Sequence, residues 1–89
     1  MSAKILLVED NPKIMEMNRQ ALTIHGYRVF EAQTIEAGRA LFEKENPDLI
    51  ILDIMLPDGD GRRLCEQLRK GTRRVPILFA SGLKEDDEI

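Results

Sequence analysis

Three carboxylates carry the chemistry this sequence offers. Asp53 follows the uninterrupted apolar run Leu49-Ile50-Ile51-Leu52, and Glu9 and Asp10 follow a second largely apolar run, Lys4 to Val8. A carboxylate at the carboxyl end of a buried parallel strand lies where open α/β sheets place their ligands. Three such groups at one sheet end repel one another, and the usual remedy is a hard divalent cation bound through oxygens. Mg2+ fits best, because it accepts few protein ligands, keeps waters and can bridge to a phosphoryl oxygen. The chemistry implied is phosphoryl transfer at a carboxylate nucleophile, with Asp53 the first candidate.

The elements must bring these residues together. Lys4 to Val8, Tyr27 to Ala32, the run before Asp53 and Val75 to Ala80 are rich in β-favouring apolar residues and predict four strands, with Tyr27 to Ala32 the less buried one, at an edge. Between them lie three helices. The first is capped by Asn11 with Pro12 in its first turn, shows Ile14, Met17, Ala21 and Ile24 at helical spacing with Met15 and Leu22 widening the stripe, and is closed by a left-handed Gly26. The second is capped by Thr34, carries an apolar face of Ile35, Ala37, Ala40 and Leu41, and stops at Asn46-Pro47. The third runs from Arg62 to Lys70 on Leu64, Cys65 and Leu68 and is closed by Gly71. Past Ser81-Gly82 the chain turns acidic at Glu85 to Glu88, which suits the first turn of a further helix.

Strands alternating with helices predict right-handed βαβ units on a parallel sheet, in one three-layer α/β/α domain covering all 89 residues. For Glu9 and Asp10 to meet Asp53, the first and third strands must be neighbours. The flavodoxin-like order 2-1-3-4-5 makes them so and puts its topological switch point between them. The fourth unit has barely begun its helix when the sequence stops, so the expectation is order 2-1-3-4, with a fifth strand and last helices absent.

Bulk properties exclude several classes. A chain 43% hydrophobic and 33% charged, with no low-complexity tract, is expected to fold. Its net charge of −3 argues against an overall draw to nucleic acid. No signal peptide precedes the first strand, and no apolar run approaches the roughly 20 residues of a membrane helix, so a cytoplasmic protein is expected. The single Cys65 cannot form an internal disulfide, and its neighbours suit a packed thiol. His25 reads as a last-turn residue complementing the helix dipole.

The resemblance is specific. The motifs Ile5-Leu6-Leu7-Val8-Glu9-Asp10, Asp53 followed by Pro57 and Asp60-Gly61, and Val75-Pro76-Ile77-Leu78-Phe79-Ala80-Ser81 fall in the order and spacing of the receiver domain of two-component response regulators, which the chain resembles from Lys4 to its last residue. The resemblance implies that a sensor histidine kinase or a phosphotransfer protein donates a phosphoryl group to Asp53. It implies that Glu9, Asp10, Asp53 and the Met55 backbone carbonyl hold Mg2+, and that the Ser81 hydroxyl moves to the phosphate on activation. It implies a signalling domain and not an enzyme, one that at most assists its own phosphorylation and dephosphorylation. Receivers carry a lysine at the end of a fifth strand, and usually an aromatic switch residue on it; neither is in this sequence. A receiver truncated there would leave Val75 to Ser81 as an exposed apolar edge, and a two-fold homodimer through it is expected. Nucleic acid would be met only through an effector domain outside these residues.

Rival patterns fit less well. Asp58, Gly59, Asp60 and Gly61 suggest a calcium loop, but with Gly61 at its sixth position Leu56 and Gln67 fall where acids are essential. Arg62, Arg63, Arg69, Lys70, Arg73 and Arg74 lack interleaved aromatics and suit a solvated face better than a nucleic-acid surface. A flavin-binding domain would want a hydroxyl- and glycine-rich loop after the first strand, where Glu9-Asp10-Asn11-Pro12 would repel phosphate. An aspartate-nucleophile phosphohydrolase of the haloacid dehalogenase-like pattern would place a second Asp two residues after Asp53, where Met55 stands. A receiver fold serving only as an interaction module is the remaining alternative.

Overall fold

The computed structural model describes residues 2–71 and 73–80. β1 (Lys4–Val8), β2 (Arg28–Ala32), β3 (Leu49–Leu52) and β6 (Ile77–Phe79) form one parallel sheet in the spatial order β2-β1-β3-β6. Three helices connect them: α1 (Pro12–Ile24), α2 (Ile35–Glu45) and α3 (Arg62–Arg69). Between β3 and α3 the chain makes a small antiparallel hairpin, β4 (Met55–Leu56) with β5 (Gly59–Asp60), where the sequence led us to expect a turn alone. The flavodoxin-like α/β fold and the predicted strand order are therefore those observed, with β6 in the place of the fourth strand. Among the described residues β6 is the edge, as predicted, and β2 is the other.

The main core lies between the sheet and the α2–α3 side. It joins Leu6, Val8, Ile50 and Leu52 of the central strands with Ile35, Phe42, Leu56, Leu64 and Leu68. The opposite side chains of β1, Ile5 and Leu7, are also buried, as is Met15 of α1. β1 is thus covered on both faces, which explains its unbroken apolar run.

Helix ends follow their local chemistry. The Asn11 side chain accepts hydrogen bonds from the Lys13 and Ile14 N–H groups. At the other end of α1 the Tyr27 N–H reaches the Leu22 carbonyl and the Gly26 N–H reaches that of Thr23, with Gly26 at φ 89°. These bonds are a Schellman termination, which needs a left-handed residue and so favours glycine. Asn46 ends α2 in the same left-handed region, φ 50°.

Two helix faces differ from expectation. In α1 the sheet meets Met15, with Leu22 two turns on, whereas Met17 (64% exposed), Ala21 and Ile24 (80%) of the predicted stripe point outward. In α2 the buried line is Ile35, Gly38 and Phe42, and Ala37 and Ala40 are exposed. The reason lies at Gly38: a Cβ there would stand 3.1 Å from Leu64 Cδ2 and 3.2 Å from Val8 Cγ2. α2 comes closest to the sheet at its smallest residue, and that rotates the two alanines away. The fourth strand is also shorter than the predicted Val75 to Ala80. Val75 is buried, but Leu78 and Phe79 are exposed.

Candidate functional site

Each acidic residue continues a strand by one or two positions. The Glu9 N–H donates to the Ala32 carbonyl at 2.9 Å and the Asp53 N–H to the Val8 carbonyl at 3.0 Å, so the β1–β2 and β1–β3 ladders run on past their last paired residues. Glu9 and Asp10 thereby leave β1 beside the point where Asp53 leaves β3. One carboxylate oxygen from each of Glu9, Asp10 and Asp53 lies within 4.8 Å of the others. Glu9 and Asp53 are buried, at 4% and 1% exposure, and Asp10 is partly buried. Such a cluster of oxygen donors could hold a hard divalent cation.

Neighbouring backbone orients the carboxylates. The Asn11 N–H donates to Glu9 Oε2 at 2.9 Å, so the residue that caps α1 also steers Glu9. The Met55 N–H donates to Asp53 Oδ1 at 3.2 Å. The Met55 backbone is thus beside Asp53, with its side chain 63% exposed. Ser81 lies outside the described residues, as do the acidic residues 85–88.

The hairpin supplies what the sequence did not reveal. The Gly61 N–H donates to the Ile54 carbonyl at 2.6 Å, which seats the start of α3 against the residues beside Asp53. Asp58, at the hairpin tip, accepts from the Ile35 N–H at 2.9 Å and the Glu36 N–H at 3.2 Å. Asp60 pairs with Arg62, Nη2 to Oδ2 at 2.7 Å. The Arg62 side chain, then its backbone N–H, holds the Asp60 carboxyl down at about 2. Both acids of the supposed calcium loop are committed to protein donors. The sequence signal for the hairpin was Pro57-Asp58-Gly59, a turn pattern between two short extended pairs.

The basic residues of α3 and its following loop are also partly engaged. Arg69 donates to the Val75 carbonyl at 2.8 Å, and Arg73 donates to the Pro47 carbonyl with its guanidinium 5.3 Å from the Phe42 ring centroid. These two tie α3 and the loop after it to neighbouring backbone, where the sequence suits a solvated face; Arg62, Arg63, Lys70 and Arg74 are exposed as that reading expects. His25 is the exposed C-cap of α1 and Cys65 a partly buried thiol. Among the described residues no helix is long and apolar enough to cross a membrane.

Comparison with known proteins agrees with this fold. Residues 5–89 match the family model described as the response regulator receiver domain. The chain is 42% identical over 85 residues to the KDP operon transcriptional regulatory protein KdpE of Escherichia coli, covering 96% of this chain and 38% of that protein. It is 40% identical over 86 residues to the alkaline phosphatase synthesis transcriptional regulatory protein PhoP of Bacillus subtilis, covering 97% and 36%. It therefore spans little more than a third of the length of these relatives. Among solved structures, the non-phosphorylated HemR receiver domain of Leptospira biflexa superposes with a TM-score of 0.82 at 38% identity, over 88% of this chain and 63% of that one. A CheY-like receiver domain protein of Methanospirillum hungatei superposes with a TM-score of 0.87 at 33% identity, over 92% and 66%.

Proposed function

Because the chain belongs to the response regulator receiver domain family, we propose that it accepts a phosphoryl group on Asp53 from a sensor histidine kinase or a phosphotransfer protein. The observation that carries this reading is the convergence of Glu9, Asp10 and Asp53 within 4.8 Å at the carboxyl end of the sheet. An Asp53 carboxylate oxygen attacks the phosphorus of a phosphohistidine. The new P–O bond forms as the P–N bond breaks, and the departing imidazole takes up a proton. Glu9, Asp10 and Asp53 would hold Mg2+, with the Met55 carbonyl as a further oxygen. When bound, the cation would neutralise the acidic cluster and the charge on the transferring phosphoryl oxygens. The residues of the chain itself do the positioning: Asn11 steers Glu9, and the Met55 N–H fixes the Asp53 side chain. The Ser81 hydroxyl is the proposed switch group.

On this reading the domain is a phosphoacceptor of a phosphorelay, and its only catalytic contribution is to its own phosphorylation and dephosphorylation. Its place is the cytoplasm, where phosphohistidine donors are made from ATP. A second partner is suggested by β6. Among the described residues Leu78 and Phe79 are 55% and 44% exposed on an edge strand, which favours pairing with a second copy of this chain. Gel filtration with light scattering tests that pairing, and a monomer at micromolar concentration would refute it. The phosphoacceptor itself is tested by incubation with acetyl phosphate and Mg2+ followed by mass-spectrometric mapping. The adduct is expected on Asp53 and to be lost in Asp53→Asn. Label on Glu9, Asp10 or Asp58 would overturn the assignment.

A further inference from the structure

The first turn of α2 is capped by two residues from different places in the chain. Thr34 Oγ1 accepts the Ala37 N–H at 3.0 Å, the usual local cap. The Ile35 and Glu36 N–H groups, which that hydroxyl does not serve, are taken by the two carboxylate oxygens of Asp58. Asp58 is 23 residues from Ile35 in sequence. The two N–H bonds, Ile35 first, hold its carboxyl below the ordinary 3.8. Apolar packing reinforces this junction, since Leu56 and Ile35 share the core cluster and a Cβ on Gly59 would lie 3.4 Å from Ile35 Cδ1.

The other end of the same hairpin rests on the acidic site. The Met55 N–H binds the Asp53 carboxylate, Met55 pairs with Asp60 across the hairpin, and the Gly61 N–H closes onto the Ile54 carbonyl. The hairpin is therefore a short bracket fixed at both ends, between the start of α2 and the backbone beside Asp53. We infer that Asp58 is a positioning residue for the acidic site: by fixing the hairpin tip on α2 it holds the Met55 backbone where Asp53 and a bound cation need it. The inference rests on the phosphoacceptor reading and adds a coupling to it, because α2 and the acceptor loop are held in one register.

The test compares Asp58→Ala, Asp58→Asn and Thr34→Ala in the intact chain. All three weaken capping of the same helix, but only the Asp58 changes release the hairpin. Mg2+ affinity is read by titration of backbone amide signals, and amide exchange is read at Met55 and Gly61. Asp58→Ala is expected to weaken Mg2+ binding on the order of ten-fold, as loss of an outer-shell partner does, and to speed exchange at Met55 and Gly61. Asp58→Asn, which keeps one acceptor oxygen, should fall between it and the parent. Thr34→Ala should lower stability and leave Mg2+ binding unchanged. Equal loss of Mg2+ affinity in Thr34→Ala and Asp58→Ala, or none in Asp58→Ala, would overturn the inference. A parent protein that binds no Mg2+, combined with faster exchange at Met55 in Asp58→Ala, would sink the phosphoacceptor reading and leave the bracket standing.

Discussion

Gly61 stands so close to the backbone of Asp53 that a Cβ on it would lie 2.1 Å from the Asp53 carbonyl oxygen and 3.1 Å from the carbonyl carbon. The atoms in the way are backbone and cannot swing aside as a side chain could. Its φ of −59° is one that any residue adopts, so proximity is what demands glycine here. Gly61→Ala should therefore cost about 1 to 3 kcal/mol, the range for forced overpacking. It should also displace Asp53. Urea unfolding checks the first effect. A Mg2+ titration checks the second, where a weaker affinity is expected.

Charge crowding makes an opposite prediction at Asp53 itself. Asp53→Asn removes one of the three carboxylates and so relieves repulsion. Without Mg2+ the variant should melt at or above the temperature of the parent. With Mg2+ the parent should gain more than the variant, a site holding cation at about ten times its Kd gaining about 1.4 kcal/mol by mass action. Thermal melts with and without Mg2+ decide it, and a variant that gains as much from the cation as the parent would remove Asp53 from the metal site.

Acid should weaken the hairpin through Asp60 and Asp58. Both carboxyls titrate lower in the folded protein than their ordinary 3.8, Asp60 at about 2 because Arg62 binds its charged form. A depressed carboxylate stabilises fully above its unfolded value and loses that contribution as pH falls through the folded one. The window for Asp60 is thus from about pH 4 down to about pH 2. Asp60→Asn should flatten the stability profile in that window. Because the pair is exposed, the difference should shrink in high salt.

The two methionines of α1 give a test of which face meets the sheet. Met15 is 4% exposed and Met17 is 64% exposed. Truncating a buried Met to Ala typically costs about 2 to 5 kcal/mol, whereas exposed substitutions usually stay within about 0.5 kcal/mol. Met15→Ala should be the far more damaging change in denaturant unfolding. Comparable losses at both positions would mean that a different face of α1 is packed.

Leu64 carries a similar expectation for α3. It is fully buried and would meet a Cβ on Gly38 at 3.1 Å, so it marks the contact between α2 and α3. Leu64→Ala should cost about 2 to 5 kcal/mol, a large part of a typical domain stability of roughly 5 to 15 kcal/mol. Its unfolding midpoint should drop without a change in the denaturant slope if the rest of the fold stays intact.

Much was legible from local sequence alone. Apolar runs ask for burial on both faces, which β1 has and β3 has in part, its Leu49 and Ile51 being half-buried; Asn11-Pro12 and Gly26 mark helix ends by backbone chemistry, and two apolar runs each ending in acid imply one sheet end where Glu9, Asp10 and Asp53 meet. Those features depend on the residue and its immediate neighbours, so the α/β order and the acidic site could be named in advance. Other features depend on distance in space between parts far apart in the chain. Which stripe of α1 is covered, why Ala37 and Ala40 turn outward, what Asp58 binds and why position 61 admits no side chain were decided only by the tertiary structure. Each is set by how closely two backbones approach, at Gly38 over Val8 and at Gly61 over Asp53, and an apolar pattern read along one chain holds no record of that separation.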